Sequence, residues 1–133
     1  MDNLQGFVEL VELVARLRAP DGCPWDRKQT PESFKRYLLE ETHELLEALE
    51  NDDRTHIKEE LGDLLFQVLF LSRLYQEEGA FTLEEVIRGV IEKMVRRHPH
   101  VFGEVKVESE AELRRQWERI KAGEKAPKGQ EDS

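Results

Sequence analysis

Residues 38–71 read LLEETHELLEALENDDRTHIKEELGDLLFQVLFL, and the reading of this stretch decides the fold. Two acidic clusters, Glu40-Glu41-x-x-Glu44 and Glu60-x-x-Asp63, flank a polar turn, NDDRT. Leu38, Thr42, Leu45 and Leu49 before the turn, and Ile57, Leu61, Leu64, Val68 and Leu71 after it, recur at helical spacing. That period predicts two amphipathic helices joined by a short connection. At about 100° per residue, Glu41 and Glu44 lie about 60° apart on one border of the first stripe. Glu60 and Asp63 hold the same relation to the second stripe. With the chain folded near Asp52, both pairs stand roughly 14 Å from the turn at 1.5 Å per residue. In an antiparallel hairpin they meet at one level.

Two readings of these acids stand. One is a solvated helix face, the usual fate of acidic runs. The other is a site for a cation, because converging carboxylates repel strongly unless they protonate or bind one. Oxygen-only ligands favour a hard ion, Mg²⁺ or Mn²⁺. Lys58 is the only base expected near the second cluster, and it projects elsewhere. Glu40-x-x-His43 has the spacing of a di-iron bundle, but such bundles need a second Glu-x-x-His, and here the partner is Glu60-x-x-Asp63. His43 is therefore read as a bystander.

Working outward, the first helix is expected from about Leu4 to Arg18, stopped by Pro20-Asp21-Gly22. A loop, CPWDRKQ, leads to Thr30, an N-cap with Pro31 at the first helical position. The second helix runs to about Glu50 and the third from about Thr55 to Glu78. From Leu64 to Leu71 the third is apolar nearly all round, and such a helix must be buried on all sides. In so small a domain that calls for a second subunit. Gly79 ends this helix, and Thr82-x-x-Glu85 is a capping box opening a fourth, which Pro99 closes. Val86, Ile87, Val90, Ile91 and Met94 form its stripe. After the loop HPHVFGEVKVE, Ser109-x-x-Glu112 opens a short helix to about Lys121. The expectation is an all-α antiparallel bundle of about four main helices plus a short C-terminal helix, completed by oligomerisation. One domain spans 1–121, and 122–133 forms a disordered tail.

Composition bounds the function. The chain has 133 residues, enough for one domain with a real core. Its formal net charge of −9 argues against a general nucleic-acid binder and against an anionic membrane surface. The N-terminus carries Asp2 and Glu9 where a signal peptide would be basic, and the lone Cys23 cannot form an intramolecular disulfide. Both suit the cytoplasm. Cys23 has no basic neighbour that would activate it and reads as a small loop residue.

Other residues can carry chemistry. Lys93 and Arg97 stand four apart on one helix face with Arg96 adjacent. They are either a seat for phosphate oxygens or the ordinary enrichment of bases at a helix C-terminus. Trp117 and Lys121 are also four apart; Trp117 is either a stacking surface or a packing anchor. His98 and His100 flank Pro99 at a helix exit and read as structural.

At these residues the chain resembles a known family. EETHE followed by EELGD fits the EExxE…ExxD signature of the all-α nucleoside triphosphate pyrophosphohydrolases. GCPWDRKQT, LLEETHELLEAL, EELGDLLFQVLF and KMVRRHPHVFG look like the MazG branch, and the likeness runs from about Leu17 to Lys121. The resemblance implies Mg²⁺-dependent cleavage of a nucleoside triphosphate to the monophosphate and pyrophosphate, clearing aberrant or surplus nucleotides. It implies metal ligation by Glu41, Glu44, Glu60 and Asp63, and phosphate contacts from Lys93 and Arg97. Trp117 and Lys121 correspond to its C-terminal Trp-x-x-x-Lys. It also implies a homodimer or homotetramer. Glu40, roughly 40° from Glu44 on the helical wheel, is assigned to orienting the attacking water or holding a second ion. The competing reading is a noncatalytic helical dimer with an acidic face for a basic protein.

Overall fold

The computed structural model describes residues 4–125. Seven helices follow in order: α1 Leu4–Leu17, α2 Pro24–Arg27, α3 Pro31–Asn51, α4 Arg54–Glu77, α5 Leu83–Arg97, α6 Pro99–Phe102 and α7 Glu110–Lys125. No strand occurs among the described residues, as the all-α expectation requires. No described helix is long and apolar enough to cross a membrane. The chain divides into two compact units, Met1–Leu83 and Glu84–Ser133.

In the first unit, α3 and α4 form the expected hairpin. Thr30 caps α3: its Oγ1 accepts from Ser33 N, and Ser33 Oγ accepts from Thr30 N. The turn is tight because Asp52 adopts a left-handed φ of 51°, a conformation the short Asp side chain tolerates. Asp53 then caps α4, its carboxylate accepting from His56 N at 3.2 Å. The hairpin and α1 share one apolar core of Val14, Phe34, Leu69, Phe70 and Leu74. Phe34 and Phe70 stack with ring centroids 4.8 Å apart. Arg18 locks the end of α1 in place, with Nη1 on the Asp26 carbonyl at 2.6 Å and Nη2 on Glu77 Oε1. This guanidinium is the main reason the Glu77 carboxyl lies below its usual range. Gly22 is required in the preceding turn, because a Cβ there would lie 2.3 Å from the Leu17 carbonyl oxygen.

The loop expected after α1 contains a short helix, α2, which Pro24 begins. The third helix of the sequence reading, here α4, is buried on one side only. Leu61, Leu65 and Val68 stay 52%, 43% and 44% exposed in the single chain.

In the second unit, α5 ends at Arg97, and α6 occupies part of the expected HPHVFGEVKVE loop. Ser109 caps α7 by accepting from Glu112 N at 3.1 Å, while Glu112 reaches back to Glu108 N at 2.8 Å. The tail expected from 122 is corrected here. Residues 122–125 continue α7, because Glu124 is tied to Arg96 and Arg97 of α5. Charge pairing supplies what the absent apolar residues could not. The remainder of the expected tail, 126–133, lies outside the described residues.

Candidate metal centre

The level matching expected from sequence brings three carboxylates together. One oxygen each of Glu41, Glu60 and Asp63 lies within 4.8 Å of the others. Glu41 on α3 is only 7% exposed and Glu60 on α4 only 5%, whereas Asp63 is open to solvent. In the two glutamates, Glu41 Oε2 and Glu60 Oε1 are buried with no hydrogen-bond partner. A buried unpaired carboxylate oxygen is costly, so such a pair marks a place prepared for something electropositive.

Proton affinities give the same account. Burial pushes the Glu41 carboxyl up to about 8, reinforced by the close approach of the Glu60 carboxyl and by the charges of Glu60, Asp63 and Glu44. The neighbouring Glu41 carboxyl first, and His56 after it, hold Glu60 below the usual carboxylate range against the opposing effect of its own burial. Without a cation the two carboxyls titrate as a pair, and Glu41 holds a proton more tightly than an isolated carboxyl would. A divalent ion in the proton's place would meet an all-oxygen donor set and cancel the repulsion, so this acidic cluster can hold a metal.

Glu44 does not join the 4.8 Å group. It stands near enough to feel it: its exposed carboxyl is raised, chiefly by the negative charge of Glu60. Glu40 is exposed, and its charge contributes to raising Glu44. His43 is exposed as well.

One residue of the site was missed. His56 Nε2 donates to Glu60 Oε2 at 2.9 Å, which fixes the carboxylate and leaves Oε1 for a ligand. The base at the second cluster is therefore His56, correcting the view that only Lys58 stood near. Its signal was the spacing His56-x-x-x-Glu60, one helical turn.

The second unit holds the other candidates. Lys93 and Lys121 are half-buried. The Arg97 guanidinium carbon sits 5.4 Å from the centroid of the Trp117 ring, and His98 meets the same ring edge-on at 5.2 Å. Trp117 is thus packed by its own chain. A cavity of about 540 Å³ opens beside it, lined by His98, His100, Leu113 and Arg114 among others. His98 and His100 have the structural partners expected of them: His98 Nδ1 lies 2.5 Å from the Met94 carbonyl oxygen, and buried Gln116 Nε2 lies 3.1 Å from His100 Nδ1.

The profile of the MazG nucleotide pyrophosphohydrolase domain matches residues 29–102, which contain both helices of the acidic hairpin. The chain belongs to the MazG family. Among its MazG relatives, the nucleoside triphosphate pyrophosphohydrolase/pyrophosphatase MazG of Thermotoga maritima is 53% identical over 122 residues. That alignment covers 92% of this chain and 46% of the relative. A nucleoside triphosphate pyrophosphohydrolase of Escherichia coli K12 is 44% identical over 122 residues, covering 91% of this chain and 46% of that protein. An uncharacterized Bacillus subtilis protein, YabN, is 53% identical over 119 residues, 90% of this chain and 24% of its own. The chain therefore spans half or less of the length of these relatives. The fold also matches the crystal structure of a mazG-related protein from Thermotoga maritima, with a TM-score of 0.74 and 32% identity, covering 86% of this chain and 97% of that one.

Proposed function

We propose that this MazG chain hydrolyses nucleoside triphosphates between the α and β phosphates, with Mg²⁺ held by Glu41, Glu60 and Asp63 and by Glu44 at their border. The observation that carries the reading is the buried, unpartnered oxygen pair of Glu41 and Glu60. An acidic face for a basic protein would present exposed carboxylates, so these two favour a metal over that alternative. Bound Mg²⁺ would neutralise phosphate charge and polarise the phosphorus. The chain's own residues do the rest. His56 orients Glu60. Glu40 and Glu44, exposed at the border, are placed to orient or deprotonate a water. Lys93 and Arg97 are assigned to the charge that builds on the departing pyrophosphate, with Lys121 as a further base. The reading includes a homo-oligomer, supported by the exposed Leu61, Leu65 and Val68 on α4 and by Val86, Val90 and Ile91 on α5. It also includes a role in clearing surplus or aberrant nucleotides in the cytoplasm.

The test is product analysis with a panel of canonical, deoxy and damaged triphosphates, with Mg²⁺ and with Mn²⁺, in ¹⁸O-labelled water. Label is expected in the monophosphate and none in pyrophosphate. Label in orthophosphate, or a nucleoside diphosphate product, would mean that a different bond breaks.

A further inference from the structure

The carboxylate of Glu124 receives four hydrogen bonds from two arginines. Arg96 Nε donates to its Oε2 at 2.6 Å, Arg97 Nη2 to its Oε1 at 2.7 Å, and Arg97 Nε to both oxygens at 3.3 Å. Glu124 and Arg97 are each 18% exposed at the side chain, so water screens this pair less than an open surface bridge. Arg97 is held on two sides. Glu124 grips its Nε/Nη2 edge, and the ring of Trp117 lies against its face. An arginine fixed by an edge and a face loses most of its rotamer freedom before any ligand arrives. The bonds to Glu124 use Nε and Nη2 and leave Nη1 out. Two arginines against one carboxylate also keep a net positive charge, which an anion needs.

We infer that Glu124 is a positioning residue: it pre-aims Arg97 for the triphosphate, and the last turn of α7 is folded for that purpose. Glu124 does not touch the reacting atoms. It acts through Arg97, and the inference rests on the assignment of Arg97 to the phosphates. The geometry also explains why α7 continues through a stretch with so few apolar residues: its end is anchored by this carboxylate. The strength of the anchor is reflected in the Glu124 carboxyl, which Arg97 first and Arg96 second hold down at about 2. Glu124 therefore stays charged at any pH where the protein works.

The experiment is a double-mutant cycle on the full chain with Mg²⁺ and a nucleoside triphosphate that the wild type hydrolyses. Glu124→Gln keeps the shape and removes the charge. Its kcat/KM should fall about tenfold, with a matching rise in the inhibition constant of inorganic tripolyphosphate, as loss of an oriented donor predicts. In an Arg97→Ala background, Glu124→Gln should cause no further loss, because the residue it positions is gone. Glu124→Asp, which retains the charge on a shorter stem, should recover part of the loss. It also serves as the second variant if Glu124→Gln unravels α7. Wild-type kcat/KM in Glu124→Gln would overturn the inference, as would an equal loss in the Arg97→Ala background, the mark of a merely structural role. A faster Glu124→Gln enzyme would overturn it too, showing that the carboxylate occupies the phosphate's seat. If Arg97→Ala alone leaves kcat/KM unchanged, the assignment of Arg97 to phosphate fails and this inference fails with it. That outcome is distinct from an Arg97→Ala loss with no effect at Glu124.

Discussion

Each of the two units of this chain is held together internally by a different force. Residues 4–83 close around stacked Phe34 and Phe70, with Val14, Leu69 and Leu74 beside them. Among described residues 84–125, the only buried one is the polar Gln116. Its apolar stripe stays open in the single chain, with Val86 38%, Val90 48% and Ile91 40% exposed. Helix α5 is linked to α7 by the Arg96–Arg97–Glu124 cluster and by the Arg97 guanidinium against the Trp117 ring. The contrast shows where each kind of chemistry can be built. A cluster of repelling carboxylates needs a rigid frame that apolar packing sustains against it. A seat for phosphates needs bases held by partners that leave donors free.

The sharpest way to break the comparison is to remove the carboxylates. Glu41→Gln, Glu60→Gln or Asp63→Asn should each lower turnover at least about 10³-fold while far-UV dichroism stays unchanged. In the metal-free protein at pH 8, Glu41→Gln should also raise the melting temperature, since it removes a carboxyl whose ionisation the fold opposes. Near-normal turnover in any two of the three would separate the hairpin from the chemistry.

Next is the frame. Phe70 is fully buried, and Phe70→Ala should cost about 3–5 kcal/mol in chemical denaturation. Val90→Ala on the open stripe of α5 should cost about 0.5 kcal/mol or less if the chain is studied as a monomer. A cost at Val90 comparable to that at Phe70 would mean that oligomerisation buries the second unit, and light scattering on the same samples would show the assembly.

A smaller effect is expected at His56. His56→Ala frees Glu60 from its 2.9 Å hydrogen bond and should weaken Mg²⁺ binding about 10–100-fold in calorimetry, as loss of an orienting partner does at metal sites. Unchanged affinity would show that burial alone orients Glu60.

The pH dependence follows from Glu41. The folded, metal-free protein keeps a proton there up to about pH 8, whereas the unfolded chain releases it near the ordinary value of 4.5. Between these values the folded state binds more protons. Metal-free stability therefore falls as pH rises through that window, and metal affinity rises. Calorimetry at pH 7 in two buffers of different ionisation enthalpy should show about one proton released per ion bound. Equal heats in both buffers would contradict it.

The smallest effect concerns salt. Raising NaCl to about 1 M should speed amide exchange in α7 a few-fold and leave α3 and α4 unchanged, because ion pairs are screened and apolar packing is not. Equal acceleration in both units would erase the distinction.

Periodicity and spacing by themselves determined the hairpin and the level at which Glu41, Glu60 and Asp63 meet. Both are consequences of a local repeat of 3.6 residues, which sequence carries directly. The caps at Thr30 and Ser109 were legible for the same reason, since each acts within one turn. The tertiary structure alone decided which of four acids converge, because the step from border to core depends on how α3 rolls against α4. It decided that Glu60 has His56 on one oxygen and nothing on the other. It also decided that Glu124, in a stretch whose composition read as a tail, belongs to a folded helix. Its partners are 27 and 28 residues earlier, and no local pattern announces a charge pair closed over that separation.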